Sequence, residues 1–228
     1  MRTKLLSLLL CLYAFPVFGQ QADLSMDQKL VIACHQLDVH AVVELLRSGA
    51  DVNARFGGKD TREYFQDPWF GGSPMTASQW TPIQALANSS TYPPPKKGYE
   101  NTVQHLDWAR AAQQEIPETE IAIRSERRVQ ILNILLSHGC DINAADDRGA
   151  TALYNSVYRK HERMALTLLE YEPDVNTKTG IYIDGTFNTT PLHRAYWSPK
   201  ITKRLIELGA DDSAKDSAGH TPKEWRER

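Results

Sequence analysis

Cysteine is scarce in this chain. Three cysteines in 228 residues cannot supply the crosslinked framework that holds small secreted folds without a large core. Charge of one sign is also lacking. The 26 Lys and Arg face 28 Asp and Glu, a formal net charge of −2, so no basic surplus exists to neutralise a phosphate backbone and no nucleic-acid partner is expected. Long apolar runs are missing too. The stretch from Leu5 to Phe15, broken only by Ser7, is shorter than the ~20 residues needed to cross ~30 Å of hydrocarbon, so no membrane span is expected. Signatures of catalysis are wanting as well. There is no G-x-S-x-G, P-loop or paired C-x-x-C, and His161-Glu162 has no second histidine one turn on to complete a zinc motif. Cys34 and His35 are adjacent on a predicted helix and point in different directions, which rules them out as a dyad. No catalytic residue, metal ligand or cofactor is expected. What remains is ordinary globular material, 41% hydrophobic and 24% charged, long enough for one large domain or two small ones at ~150 residues each.

The N-terminus has the layout of an export signal. Arg2 and Lys4 precede the apolar run, Pro16 breaks it, and Val17-Phe18-Gly19 offers small or modest side chains for cleavage. Cleavage after Gly19 makes residues 1–19 a signal peptide and leaves Gln20 first. It lowers the net charge by two more units and removes Cys11, leaving Cys34 and Cys140. Leu8-Leu9-Leu10-Cys11 only loosely matches a lipid-attachment motif, because Leu10 is bulky and Cys11 lies inside the apolar run. A soluble periplasmic protein is therefore expected over a lipid-anchored one. An oxidising compartment would permit a bridge between Cys34 and Cys140; two small core thiols are the plainer expectation.

The remaining chain repeats itself. Leu45-Leu46-Arg47-Ser48-Gly49-Ala50-Asp51-Val52-Asn53 aligns with Leu135-Leu136-Ser137-His138-Gly139-Cys140-Asp141-Ile142-Asn143. Leu168 to Asn176 and Leu205 to Asp211 follow the same scheme. Upstream stand Thr81-Pro82-Ile83-Gln84, Thr151-Ala152-Leu153-Tyr154 and Thr190-Pro191-Leu192-His193, and a further Thr221-Pro222 begins near the C-terminus. Asp146 and Asp216 open an Asp-x-x-Gly-x-Thr lead-in twice. Each position has a physical reason. Thr81, Thr190 and Thr221 suit a helix N-cap. Pro82, Pro191 and Pro222 suit N1, where the missing N–H costs nothing. Val42, Val43, Leu45 and Leu46, like Val129, Leu132, Leu135 and Leu136, form the stripe of a second helix, and Gly49, Gly139 and Gly209 sit where a left-handed residue ends it.

These residues resemble the ankyrin repeat, in which T-P-L-H-x-A opens one helix and L-L-x-x-G-A-D-V-N closes the next. The resemblance covers nearly all of 26–228 apart from insertions. It implies an all-α solenoid of about four helix-turn-helix repeats plus a truncated C-terminal one, in a single domain over 20–228. It also implies that His193 ties neighbouring repeats together. Solenoids of this kind make extended binding faces, so the resemblance implies protein–protein binding by a chain that is monomeric on its own. With a signal peptide, the chain resembles exported bacterial ankyrin proteins.

Spacing shows where the chain departs from its own pattern. Twelve positions separate Gly139 from Thr151 and Gly209 from Thr221, but 32 separate Gly49 from Thr81 and 18 separate Glu172 from Thr190. The first and third turn regions, or fingers, are therefore lengthened, and a third insertion parts the two helices of the second repeat. The long insertions fall near 56–79 and 88–124. Within 88–124, Tyr92-Pro93-Pro94-Pro95 favours an extended segment, residues 101–115 have helical spacing, and Ile121 to His138 reads as a second helix extended at its start. The fourth repeat is two residues short between its helices. Glu172-Pro173 replaces Gly-Ala, which predicts an irregular end to the third repeat's second helix.

The fingers carry the candidate contact residues. Phe56, Tyr64, Phe65, Trp69, Phe70 and Trp80 crowd the first, where Gly57-Gly58 and Gly71-Gly72 let the backbone turn. Such rings serve either as interface anchors or as a mini-core for the loop itself. Asp184-Gly185 between β-prone residues predicts a β-hairpin in the later finger, with Tyr182, Asp184 and Phe187 as its contact candidates. Asn88 and Asn188 lie in N-x-S/T sequons, which matter only in a eukaryotic host. The expected function is an exported binding module that neutralises a toxic effector enzyme, an immunity-type protein. The alternative is an accessory factor for a resident periplasmic enzyme, for example in oxidative-stress defence.

Overall fold

The computed structural model describes residues 24–57, 79–89, 118–180 and 187–227. The expected signal peptide, the apolar tip of the first finger, residues 101–115 and the tip of the later hairpin lie outside these. Among the described residues the helices are α1 (Met26–Gln36), α2 (Val39–Arg47), α3 (Pro82–Ala87), α4 (Glu118–Ser137), α5 (Ala152–Tyr158), α6 (Glu162–Glu170), α7 (Pro191–Arg194), α8 (Pro199–Glu207) and α9 (Pro222–Arg226). They stack in two rows. The first helices α1, α3, α5, α7 and α9 touch in succession, and so do the second helices α2, α4, α6 and α8. The core runs between the rows, where Val42, Ile131, Leu132, Leu135, Leu168 and Leu205 are buried along the second-helix stripe.

Thr81, Thr190 and Thr221 stand at the N-caps of first helices as the sequence predicts, joined by Thr151, while α1 is capped by Ser25. The Thr81 N–H donates to Gln84 Oε1 at 2.8 Å, the Tyr154 N–H to Thr151 Oγ1 at 3.3 Å, and the Thr221 N–H to Glu224 Oε2 at 2.6 Å. In the fourth repeat the Thr190 N–H donates to His193 Nδ1 at 3.1 Å. That fixes the proton on Nε2, which donates to the His220 carbonyl at 3.1 Å. His193 is fully buried and binds one repeat to the next, as the family pattern implied. Gln84 does the same work two repeats earlier, its Nε2 donating to the Ala144 and Ala150 carbonyls at 2.9 and 3.2 Å.

The second helices end as predicted at Gly49, Gly139 and Gly209, with φ of 94°, 78° and 84°. The third repeat corrects the expectation of an irregular end. Glu172 itself takes φ 49°, so an ordinary residue adopts the left-handed geometry that glycine adopts elsewhere. The short fourth repeat is accommodated differently. Leu37 and Lys160, with φ of 62° and 60°, link the helices of the first and third repeats, whereas a tight 3-10 turn at Ala195–Trp197 joins α7 to α8. A 3-10 turn rises faster per residue than an α-helix, which spans the gap with fewer residues. The lengthened second helix also forms, as the 20-residue α4 beginning at Glu118.

Asparagines join the turns that follow the second helices. Asn53 Oδ1 accepts from the Asp141 N–H at 2.7 Å, Asn143 Oδ1 from Asp174 at 2.8 Å, and Asn176 Oδ1 from Asp211 at 2.8 Å. Asp51, Asp141 and Asp174 in turn accept from the N–H of these same asparagines at 2.8–2.9 Å. The aspartates of the repeated D-x-N element are thus turn residues, satisfying backbone donors.

Candidate protein-binding surface

The first finger leaves and re-enters the stack through a two-stranded ribbon. β1 (Phe56–Gly57) pairs antiparallel with β2 (Gln79–Trp80), Phe56 opposite Trp80. Both rings turn inward, Phe56 8% and Trp80 5% exposed, and Trp80 stacks on His35 with centroids 5.9 Å apart. They therefore act as the base of the finger and offer a partner little surface. Tyr64, Phe65, Trp69 and Phe70 lie outside the described residues, as do Tyr182 and Asp184. Phe187 is described and is 41% exposed. Its backbone is held by Ser217, whose N–H donates to the Phe187 carbonyl at 2.9 Å.

The later finger closes at its base through Thr179 and Thr189. The Thr179 N–H donates to the Thr189 carbonyl at 3.1 Å, the Asn188 N–H to the Thr179 carbonyl at 2.7 Å, and the two hydroxyls lie 2.9 Å apart. Neighbouring fingers are laced together. Arg55 donates to the Ala145 carbonyl at 3.0 Å, and the Gly180 N–H donates to the Arg148 carbonyl. A Cβ on Gly149 would lie 2.7 Å from the Lys178 carbonyl oxygen, so this close approach of backbones requires glycine. Each long finger ends at the N-cap of a first helix: β2 runs into Thr81, and Thr189 into Thr190. The fingers thus form one continuous edge.

Beside that edge lies a cluster that sequence reasoning missed. Arg194 is buried, donates from Nε to Tyr154 Oη at 2.9 Å, and lies 5.2 Å from the Tyr158 ring centre and 4.5 Å from that of Trp225. Tyr154 and Tyr158 stack at 6.4 Å. The signal was present in part, because Tyr154 replaces the histidine of the repeat pattern. Its partner Arg194 is 40 positions away, which no local pattern reveals.

A second polar cluster sits where α3 ends. Arg128 Nε donates to Ser89 Oγ at 2.9 Å, Arg159 Nε to Asn88 Oδ1 at 3.1 Å, and His161 Nε2 lies 3.0 Å from the Ser89 carbonyl. Burial, reinforced by Arg124 and Arg159, lowers Arg128 to about 9. Burial and the same arginines push His161 well below the usual histidine range, so it is neutral at pH 7. Asn88 is buried with both side-chain heteroatoms bonded, leaving no room for a glycan. Cys34 and Cys140 are free thiols; burial raises both, Cys140 to about 12, so neither is a ready nucleophile. Among the described residues no group of three or more His, Cys, Asp or Glu is placed to hold a metal, and no helix is long and apolar enough to cross a membrane.

The two-row stack, the Thr-capped first helices and the asparagine-linked turns agree with an independent comparison. A family model described as "Ankyrin repeats (3 copies)" matches residues 119–216. Residues 119–216 of this chain are ankyrin repeats. The match begins at α4, because insertions separate the elements upstream of it. The chain is also 34% identical over 93 residues, 40% of its length, to Ankyrin repeat and SOCS box protein 11 of Danio rerio. The matched stretch is 29% of that relative, so the chain spans less than a third of its length. Ankyrin repeats are protein–protein interaction modules, and neither comparison indicates a catalytic family.

Proposed function

We propose that the mature chain works in the periplasm as an immunity-type protein, gripping and neutralising a toxic enzyme that reaches that compartment. The observation that carries the binding reading is the laced finger edge, formed by the bases of two fingers of unusual sequence length, with the Arg194–Tyr158–Trp225 cluster beside it. Support for the compartment comes from the signal-like layout of residues 1–19, and support for inhibition from a sequence without a catalytic signature. Rings on a pre-organised support lose little entropy when they bind. Partner contact is assigned to Tyr64, Phe65, Trp69, Phe70, Tyr182, Asp184 and Phe187, with Phe56 and Trp80 holding the base.

The test excises 58–78 and joins Gly57 to Gln79 by Asn-Gly, which keeps the β1–β2 stem in register. Affinity capture from periplasmic extract is compared for the intact and excised chains. The expected result is an envelope-damaging hydrolase, captured and inhibited stoichiometrically by the intact chain only, with far-ultraviolet circular dichroism nearly unchanged. Equal capture by the excised chain would remove the first finger from the interface. Capture of a resident enzyme whose activity is not inhibited would replace immunity with the accessory role. Mass spectrometry of the exported chain should place its N-terminus at Gln20.

A further inference from the structure

The far end of the stack has a feature that finger binding does not use. Side by side, α2, α4, α6 and α8 cover one another, each lending its outer face to the next. No helix covers the outer face of α8, the last of the row among the described residues. Large apolar side chains stand exposed there, Tyr196 at 50% and Ile206 at 48%. With Pro199 they line an open groove of about 480 Å³, and Lys203, Glu207 and Arg226 form its rim. Its one rim carboxylate is already engaged. Glu207 accepts from Arg204 at 3.3 Å and lies 3.8 Å from Lys203.

We infer that the outer face of α8 is a second docking site, taking an amphipathic helix of a partner protein whose apolar seam is flanked by carboxylates. Continuity with the existing row sets the shape of the occupant. What packs against α6 on this side is a helix, α8, whose buried residues Ile201 and Leu205 stand one turn apart. An occupant of α8 therefore presents apolar residues at i and i+4 to Tyr196 and Ile206. The rim sets the flanks: with Glu207 paired, Lys203 and Arg226 favour Glu or Asp beside the seam and penalise Lys or Arg. The site is separate from the fingers, and excising 58–78 leaves it intact.

The test uses the full mature chain and two synthetic helical peptides of about 16 residues, roughly four turns. They share one Leu seam and differ only in carrying Glu or Lys beside it, and binding is read by fluorescence anisotropy. The Glu peptide should bind saturably and the Lys peptide at least roughly tenfold more weakly. Ile206→Ser and Tyr196→Ser should each weaken the Glu peptide about tenfold with an unchanged melting temperature, since both side chains are half exposed. Lys203→Glu with Arg226→Glu should reverse the preference. Absence of binding, binding indifferent to Ile206→Ser, or a preference untouched by charge reversal would overturn the inference. So would sedimentation showing self-association that Ile206→Ser abolishes, because a second copy would then be the occupant.

Discussion

Trp225 Nε1 donates to Asp216 Oδ2 at 2.8 Å. Asp216 and Asp146 occupy the same place in the repeated Asp-x-x-Gly-x-Thr turn, and each Oδ1 accepts two backbone N–H bonds, at 2.8–2.9 Å and 2.9–3.0 Å. Their acidities diverge. At Asp146 burial prevails and raises the carboxyl above its usual range. At Asp216 burial also opposes ionisation, but the indole and amide hydrogen bonds outweigh it and the carboxyl is lowered. Trp225→Phe should therefore raise the Asp216 pKa, read from the carboxyl carbon shift by NMR. A lowered carboxylate contributes stability above its unfolded pKa and loses it as pH falls through the folded value. The variant should thus lose about 1–3 kcal/mol near neutrality and less in acid.

Glu172 invites the opposite kind of change. It holds φ 49° where Gly49, Gly139 and Gly209 do so freely, and a side chain in this region costs about 1 kcal/mol. Glu172→Gly should raise the urea midpoint by the equivalent of up to ~1 kcal/mol, the gain being reduced by the extra freedom of unfolded glycine. Gly139→Val should lower it. A destabilised Glu172→Gly variant would mean that the side chain is worth more than the strain.

Acid should weaken the stack through its buried histidines. Burial lowers His161, abetted by the nearby arginines, and it lowers His193 against a hydrogen bond to the His220 carbonyl. The unfolded chain therefore binds more protons than the folded one below about 6.5, the ordinary histidine value, and stability falls as pH drops through that point. Urea denaturation should show a plateau above pH ~7.5 and a decline below pH ~6.5 of at most about 1.4 kcal/mol per pH unit for each ring. His161→Gln should flatten the decline, a result that loss of packing alone would not give.

The Phe56–Trp80 pair should behave as core. Either ring cut to alanine should cost about 3–5 kcal/mol in urea unfolding, and excision of 58–78 with the ribbon intact should cost far less. Near-equal costs would show that the aromatic tip supports the fold.

The parts of the fold legible in the sequence are those fixed by neighbours three or four residues apart. Thr81 with Gln84 and Thr190 with His193 are such pairs, as are the glycines that end α2, α4 and α8. What stayed hidden depends on long separations or on context. Asn53 reaches Asp141 across 88 positions, past two insertions that blur the period. Glu172 was misread because propensity speaks for glycine, while the stack holds the turn whatever residue occupies it. The aromatic finger could not be divided by hydrophobicity, since core rings and contact rings have the same composition. Only the pairing of β1 with β2 assigns Phe56 and Trp80 to the base.

The asparagine links carry a mechanical meaning. Because the carboxamide of Asn53, Asn143 or Asn176 belongs to one turn but completes the backbone of the next, no rung of this spine is owned by one unit alone. Where the pattern would place another asparagine stands Ser213, whose hydroxyl turns back to Asp211 at 2.6 Å. The spine stops there. Tension applied along the long axis should therefore peel the chain from its C-terminal end, and the four turns joined by the three asparagines should yield together.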